Sequence, residues 1–159
     1  QLDRADIVDE IAAVLAEYGL PAERLVLEIT ESVVARMPEV MVPRLEALRA
    51  LGLRIAVDDF GTGYSSLSSL VNLPVDLLKI DRAFIFRMLE RPAATELVQV
   101  LIDMGRTLGL EVVAEGIERP EQADALRERH CLLGQGYLYS RPISADDFLG
   151  FVRRPVHNR

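Results

Sequence analysis

At 159 residues the chain is long enough for one domain with a sizeable core, and a composition that is half apolar and 27% charged is ordinary for a soluble globular protein. A net charge of −7 disfavours broad binding to nucleic acid polymers or anionic membranes. No apolar run approaches the roughly 18–20 residues that span a bilayer, so direct membrane insertion is not expected.

The polar stretch after Gln1 does not read as a signal peptide, and Gln1 is not a start methionine, so the natural N-terminus is expected to have been removed. Cys131 stands alone, and with His130 and His157 it cannot build a zinc site of the usual kinds. A reducing, cytoplasmic compartment is expected.

Asp3 reads as the N-cap of an amphipathic helix running to about Tyr18, with Ile7, Ile11, Val14 and Leu15 on one face. Gly19 ends it and Pro21 blocks its continuation. Residues 25–29 read as a short buried strand, followed by a helix over about 40–51 that Gly52 closes. Residues 53–57 predict a second strand. A Gly/Ser-rich loop and a short helix then lead to a third at 76–80. One or two helices fill 82–108, with Pro92 as the break. Residues 111–114 form a fourth strand, and 118–129 a helix with Pro120 in its first turn. Residues 132–138 hold the candidate fifth strand, and Ser144 caps a last helix to about Val152. The tail 153–159 is expected to fray. Strands alternating with helices predict a mostly parallel sheet with helices packed outside.

The acidic residues bear on whether that sheet is open or closed. Glu28 lies near the end of the first strand, Asp58 and Asp59 end the second, Lys79 and Asp81 the third, and Glu115 the fourth. Both barrels and doubly wound sheets place their sites at the C-terminal ends of strands. Polar side chains from every successive strand favour a barrel, where they converge on one mouth.

A lone acid after a strand is commonly just a helix N-cap, and Asp81 before Arg82 fits that reading. Glu31 and Glu118 fit first-turn acids that complement a helix dipole. Glu28, inside an apolar run, and Lys79, between Leu78 and Ile80, are expected to be buried and therefore partnered. Two carboxylates about 4 Å apart repel by roughly 4 kcal/mol at an effective dielectric near 20. Divalent cations relieve this, and all-oxygen ligands suit Mg²⁺ or Mn²⁺. Adjacent Asp58 and Asp59 are placed to bridge two such ions, the arrangement used for in-line phosphoryl displacement. Asp59-Phe60-Gly61 matches the kinase metal-binding tripeptide, but no kinase phosphate loop accompanies it. Schiff-base chemistry on Lys79 would leave the acids unexplained.

Five ordered segments resemble the EAL domain family: Leu27-Glu28-Ile29-Thr30-Glu31-Ser32, Asp58-Asp59-Phe60-Gly61-Thr62-Gly63-Tyr64-Ser65-Ser66-Leu67, Leu78-Lys79-Ile80-Asp81, Ala114-Glu115-Gly116-Ile117-Glu118 and Gly134-Gln135-Gly136-Tyr137. The resemblance runs over residues 1–152. It implies an α/β TIM-barrel-like (β/α) fold that hydrolyses cyclic di-GMP to linear pGpG with Mg²⁺ or Mn²⁺. By position, Glu28 resembles a ligand of one metal, Asp58 the ligand nearest both, and Asp59 a ligand of the second. Lys79 resembles the residue that holds and polarises the attacking water. Glu115 resembles a metal ligand or water-orienting base, with Glu118 and Gln135 beside it. Glu31 resembles the glutamate that anchors the 59–66 loop, which borders a homodimer interface in several family members.

The family's Glu-Ala-Leu signature and the asparagine ending its next strand have no counterpart here, and Gln1 aligns just after the latter. The resemblance therefore implies a barrel that is incomplete in this chain. Two ligands of the first metal and a phosphate-binding arginine would be missing, and the chain alone is expected to be inactive and prone to self-association through open strand edges. A non-catalytic receptor or protein-interaction domain is the main alternative.

Overall fold

The structure is a computed structural model and describes residues 2, 4, 6–30, 32, 33, 38–61 and 70–153. Asp3, Glu31, most of the 59–66 loop, His157 and all but the first residue of the tail lie outside the described residues.

Helix α1 (Ile7–Tyr18) follows Asp6 and stops where Gly19 turns left-handed at φ 59°, its N–H closing back onto the last turn. A short 3₁₀ turn leads into β1 (Val26–Thr30). Helix α2 (Pro38–Ala50) buries Met41, Leu45 and Leu48 at four- and three-residue spacing, one stripe facing the sheet. It starts two residues earlier than the sequence suggests and carries Pro43 inside it.

β2 (Arg54–Phe60) and β3 (Leu77–Ile80) follow, then α3 (Arg82–Arg87) and α4 (Pro92–Thr107). The break falls where expected, with Pro92 in the first turn of α4, where a missing N–H costs nothing. β4 (Glu111–Ala114) matches its prediction. After it come α5 (Pro120–Glu128), β5 (Leu133–Gly134) and α6 (Ala145–Val152), whose N-cap is Ser144, accepting from the Asp147 N–H. β5 is far shorter than predicted because the chain turns at Gln135 and Gly136 into hydrogen bonds with the segment after β4.

All pairings are parallel, in the order β1-β2-β3-β4-β5. On one face Ile55, Val57, Leu78, Ile80 and Ala114 are buried. Gly105 of α4 sits directly over Val112 and Leu78, which fixes that face as the helix-covered one. Alternation then directs Glu28, Asp58 and Lys79 to the opposite face. β1 and β5 are the sheet's two edges among the described residues. The edge position corrects the expectation that Glu28 is buried: its side chain is 49% exposed, because β1 lacks a further neighbour there. No helix among the described residues is long and apolar enough to cross a membrane.

Candidate metal centre

Lys79 is one of two buried polar residues among those described, only 4% exposed. Its ammonium reaches the Glu115 carboxylate at 2.6 Å, Glu28 at 2.7 Å and Asp58 at 3.1 Å. These carboxylates come from β1, β2 and the residue after β4, so β3 carries the cation at the middle of the sheet. Burial alone would lower the lysine's pKa. The hydrogen bonds to Glu115, Glu28 and Asp58 together outweigh that, and the group stands above its ordinary value and stays charged.

Adjacent residues of a regular strand point to opposite faces, which would separate Asp58 from Asp59. The β2–β3 register slips between Val57 and Phe60, and Asp59 takes a left-handed conformation at φ 54°. Such a bulge re-aims a side chain, and aspartate tolerates the left-handed region better than most residues. As a result carboxylate oxygens of Asp58, Asp59 and Glu115 all lie within 4.8 Å of one another. Three hard oxygen donors at that spacing fit a divalent cation such as Mg²⁺, Mn²⁺ or Ca²⁺ better than a soft one. Glu28 stands outside this trio, tied to Lys79.

The crowding shows in the titration of the acids. Partial burial raises the Glu115 pKa, and the charges of Asp58 and Glu28 add to it, while Lys79 opposes. Asp59 is raised by desolvation and then by the charges of Asp58 and Asp81. Asp81 is the N-cap of α3, accepting from the Ala83 N–H at 2.8 Å, so the capping reading holds and the same carboxylate also bears on Asp59.

Gln135 follows β5 and donates from Nε2 to Glu115 Oε1 at 2.6 Å, the same oxygen that Lys79 engages. Glu118 is exposed and lines an open cleft of about 750 Å³ together with Asp59, Asp81, Glu115 and Gln135. Three aromatic residues, Tyr137, Phe148 and Phe151, also line this cleft, and the Arg141 guanidinium lies over the Tyr137 ring. The structure thus draws together Glu28, Asp58, Asp59, Lys79, Glu115 and Gln135 and puts Glu118 at the rim. Glu31 is outside the described residues.

The sequence reading missed Gln122, which is 1% exposed. Its side chain accepts from the N–H groups of Glu118 and Arg119 and donates to the Ile85 carbonyl, each at 2.9 Å. A Gln at the third helical position, after Arg119-Pro120-Glu121, was the available signal. Without Ser or Thr at the cap it is a weak one.

The EAL domain family model matches residues 1–142. The chain is 47% identical over 152 residues to "Cyclic di-GMP phosphodiesterase NbdA" of Pseudomonas aeruginosa, covering 96% of this chain and 19% of that protein. The PaMucR phosphodiesterase, solved as a c-di-GMP complex, superposes with a TM-score of 0.86 at 39% identity, over 92% of this chain and 60% of that one. BlrP1 of Klebsiella pneumoniae, solved as a manganese and cy-diGMP complex, gives a TM-score of 0.82 at 33% identity, over 89% and 36%. The chain therefore spans less than two thirds of each of these relatives, and its parallel sheet with alternating helices corresponds to part of their TIM-barrel-like fold.

Proposed function

Since the chain belongs to the EAL domain family, we propose that it supplies most of the active site of a phosphodiesterase that opens cyclic di-GMP to linear pGpG with two divalent cations, Mg²⁺ or Mn²⁺. The observation that carries this reading is the Asp58–Asp59–Glu115 trio beside the Lys79 ammonium, two of whose carboxylates, Asp59 and Glu115, open onto a cleft lined also by Tyr137, Phe148 and Phe151. The trio gives the cations oxygen ligands, with Glu28 the further ligand on the first-metal side. The aromatic rings give a purine base surfaces to stack on.

When bound, the cations lower the pKa of a water and neutralise charge on the phosphoryl oxygens. The chain's own residues then divide the work. Lys79 has three N–H donors, all engaged with carboxylates. Release of one lets the ammonium hold and orient a water. Glu28, the most exposed of the three partners, is the natural one to give way. Gln135 keeps Glu115 aimed through Oε1.

The test is turnover of cyclic di-GMP by the full-length protein with Mg²⁺ or Mn²⁺, followed by chromatography of the product. Metal-dependent appearance of pGpG, lost on chelation, is the expected result. Tight binding without turnover would turn the reading into a receptor domain.

Metal uptake should also depend on pH. Glu115 and Asp59 have folded-state pKa values raised above their unfolded ones. Their contribution to stability is therefore present below the unfolded value and lost as pH rises through the folded value. Ionising either carboxylate therefore costs more here than in a free side chain, and a bound cation removes that cost. Thermal melts are expected to show a larger Mn²⁺-induced rise in Tm at about pH 7.5 than at about pH 5. An equal rise at both would mean these carboxylates are not the ligands.

A further inference from the structure

Gln122 is buried, 1% exposed, and links two elements that border the cleft. Helix α3 has only six residues, so the Ile85 carbonyl lies in its last turn, where intrahelical partners run out. It receives the Met88 N–H at 3.4 Å and the Gln122 Nε2 at 2.9 Å. At the other end of the same amide, Oε1 takes the N–H groups of Glu118 and Arg119, which lie ahead of the first turn of α5 and have no helical acceptor. One neutral amide thus satisfies a helix end on one side and a helix start on the other. A carboxylate could only accept, an ammonium only donate, and a thioether could do neither with comparable strength.

The geometry around Gln122 gives this link its consequence. The segment 115–118 carries Glu115 and Glu118 into the cleft. Its backbone presses on α3 at Gly116, where an added methyl carbon would lie 2.4 Å from Arg82 Cβ. Gln122 makes the second contact with the same helix one turn on, at Ile85. Helix α3 is capped by Asp81, whose carboxylate accepts from the Ala83 N–H and lines the cleft beside Asp59. The segment is also held by the Glu115 N–H on the Ile80 carbonyl, the Ile117 N–H on the Gln135 carbonyl and the Leu138 N–H on the Ile117 carbonyl, and at the Glu115 carboxylate by Gln135 and Lys79, so that among the described residues Gln122 alone ties its Glu118 end.

We propose that Gln122 is a positioning residue for the phosphodiesterase reaction, fixing Glu118 and, through it, Glu115 at their distance from Asp58 and Asp59. The inference rests on the phosphodiesterase reading above. A partner bonded directly to a metal ligand typically controls affinity or activity about 10- to 100-fold; Gln122 acts at one remove, through the backbone of Glu118, so an effect of up to about 10-fold is expected.

The test compares Gln122→Met with the wild-type full-length protein. In the variant, kcat for cyclic di-GMP should fall by up to about 10-fold with little change in KM, and the Mn²⁺ activation curve should move to higher concentration. Gln122→Glu keeps the shape and the accepting half, and takes over the test if the methionine variant does not fold. Wild-type kcat and Mn²⁺ requirement in the folded variant, whatever the change in Tm, would overturn the proposal. Loss of folding in both variants would overturn it too, since Gln122 would then serve stability alone. Absence of turnover in the wild type would instead sink the phosphodiesterase reading. In that case the Mn²⁺ midpoint from thermal shift still compares variant with wild type: a shifted midpoint upholds the positioning of the ligands, and an unshifted one overturns it.

Discussion

Lys79→Met in the full-length protein is expected to lower cyclic di-GMP hydrolysis by roughly 10²- to 10³-fold, the scale seen when one preorganised electrostatic donor is lost, while the carboxylates still take up Mn²⁺. The side chain is 4% exposed, so methionine keeps the volume and removes only the charge and the donors. What remains is Glu28, Asp58 and Glu115 without the ammonium they share. Stripping one partner from a buried ion pair costs about 3–5 kcal/mol, and the half-exposed Glu28 puts this cluster at the lower end or below. The metal-free variant should therefore melt below wild type and regain more than wild type does when Mn²⁺ is added. Asp58→Asn should lose hydrolysis by the other route, because an amide is a poorer ligand than a carboxylate. Its Mn²⁺ affinity should drop by more than the roughly 10- to 100-fold typical of an outer-shell change. Titrations of Mn²⁺ against both variants decide the matter. Equal losses of affinity would mean that the lysine and the aspartate do not have separate roles.

Gly136→Ala should be the most destabilising single methyl in the region of the site. The added carbon would lie 2.1 Å from the Ile117 carbonyl oxygen and 2.3 Å from the Ile117 nitrogen. Both are backbone atoms, so no rotamer change relieves the overlap. The turn must move, and with it go the hydrogen bonds from Ile117 to Gln135 and from Leu138 to Ile117. Overpacking of this kind reaches about 3 kcal/mol, which for a domain of this size lowers Tm by roughly 6–12 °C. Gly150→Ala is the internal comparison. It lies inside α6 with nothing within 4 Å of its added carbon and should raise stability by roughly 0.5–1 kcal/mol. Thermal unfolding of the two variants side by side reads both effects. A Gly136→Ala protein that melts with wild type would mean the approach to Ile117 is looser than described.

The α/β architecture was legible because its signals are local. Gly19 ends a helix because it turns left-handed without cost, Pro92 starts one because its φ is fixed, and Ser144 and Asp81 cap by short polar side chains. The acids at strand ends were legible for the same reason. What escaped depends on partners distant in sequence. The sequence bounds the second strand at 53–57 with Asp58 and Asp59 at its end, yet β2 runs on to Phe60, which still pairs with Ile80. Glu28 was read as buried from its apolar neighbours, but burial depends on what flanks β1, and a five-residue window does not carry that. The bulge that puts Asp58 and Asp59 into one cluster arises from the slip against β3, so nothing in the dipeptide itself announces it. Gln122 is legible only once α3 is known to end beside it.

The strands lie in the sheet in the order in which they occur in the chain. Among the described residues every strand therefore pairs with the next one along. Loop closures stay modest, and assembly can proceed by adding one neighbour at a time. The Lys79 cluster, by contrast, draws on β1, β2, β3 and the end of β4 at once. It exists only when that run of pairings is nearly complete. A half-assembled chain therefore carries these acids apart from one another, and the buried ammonium then lacks part of the set of carboxylates that keeps it charged.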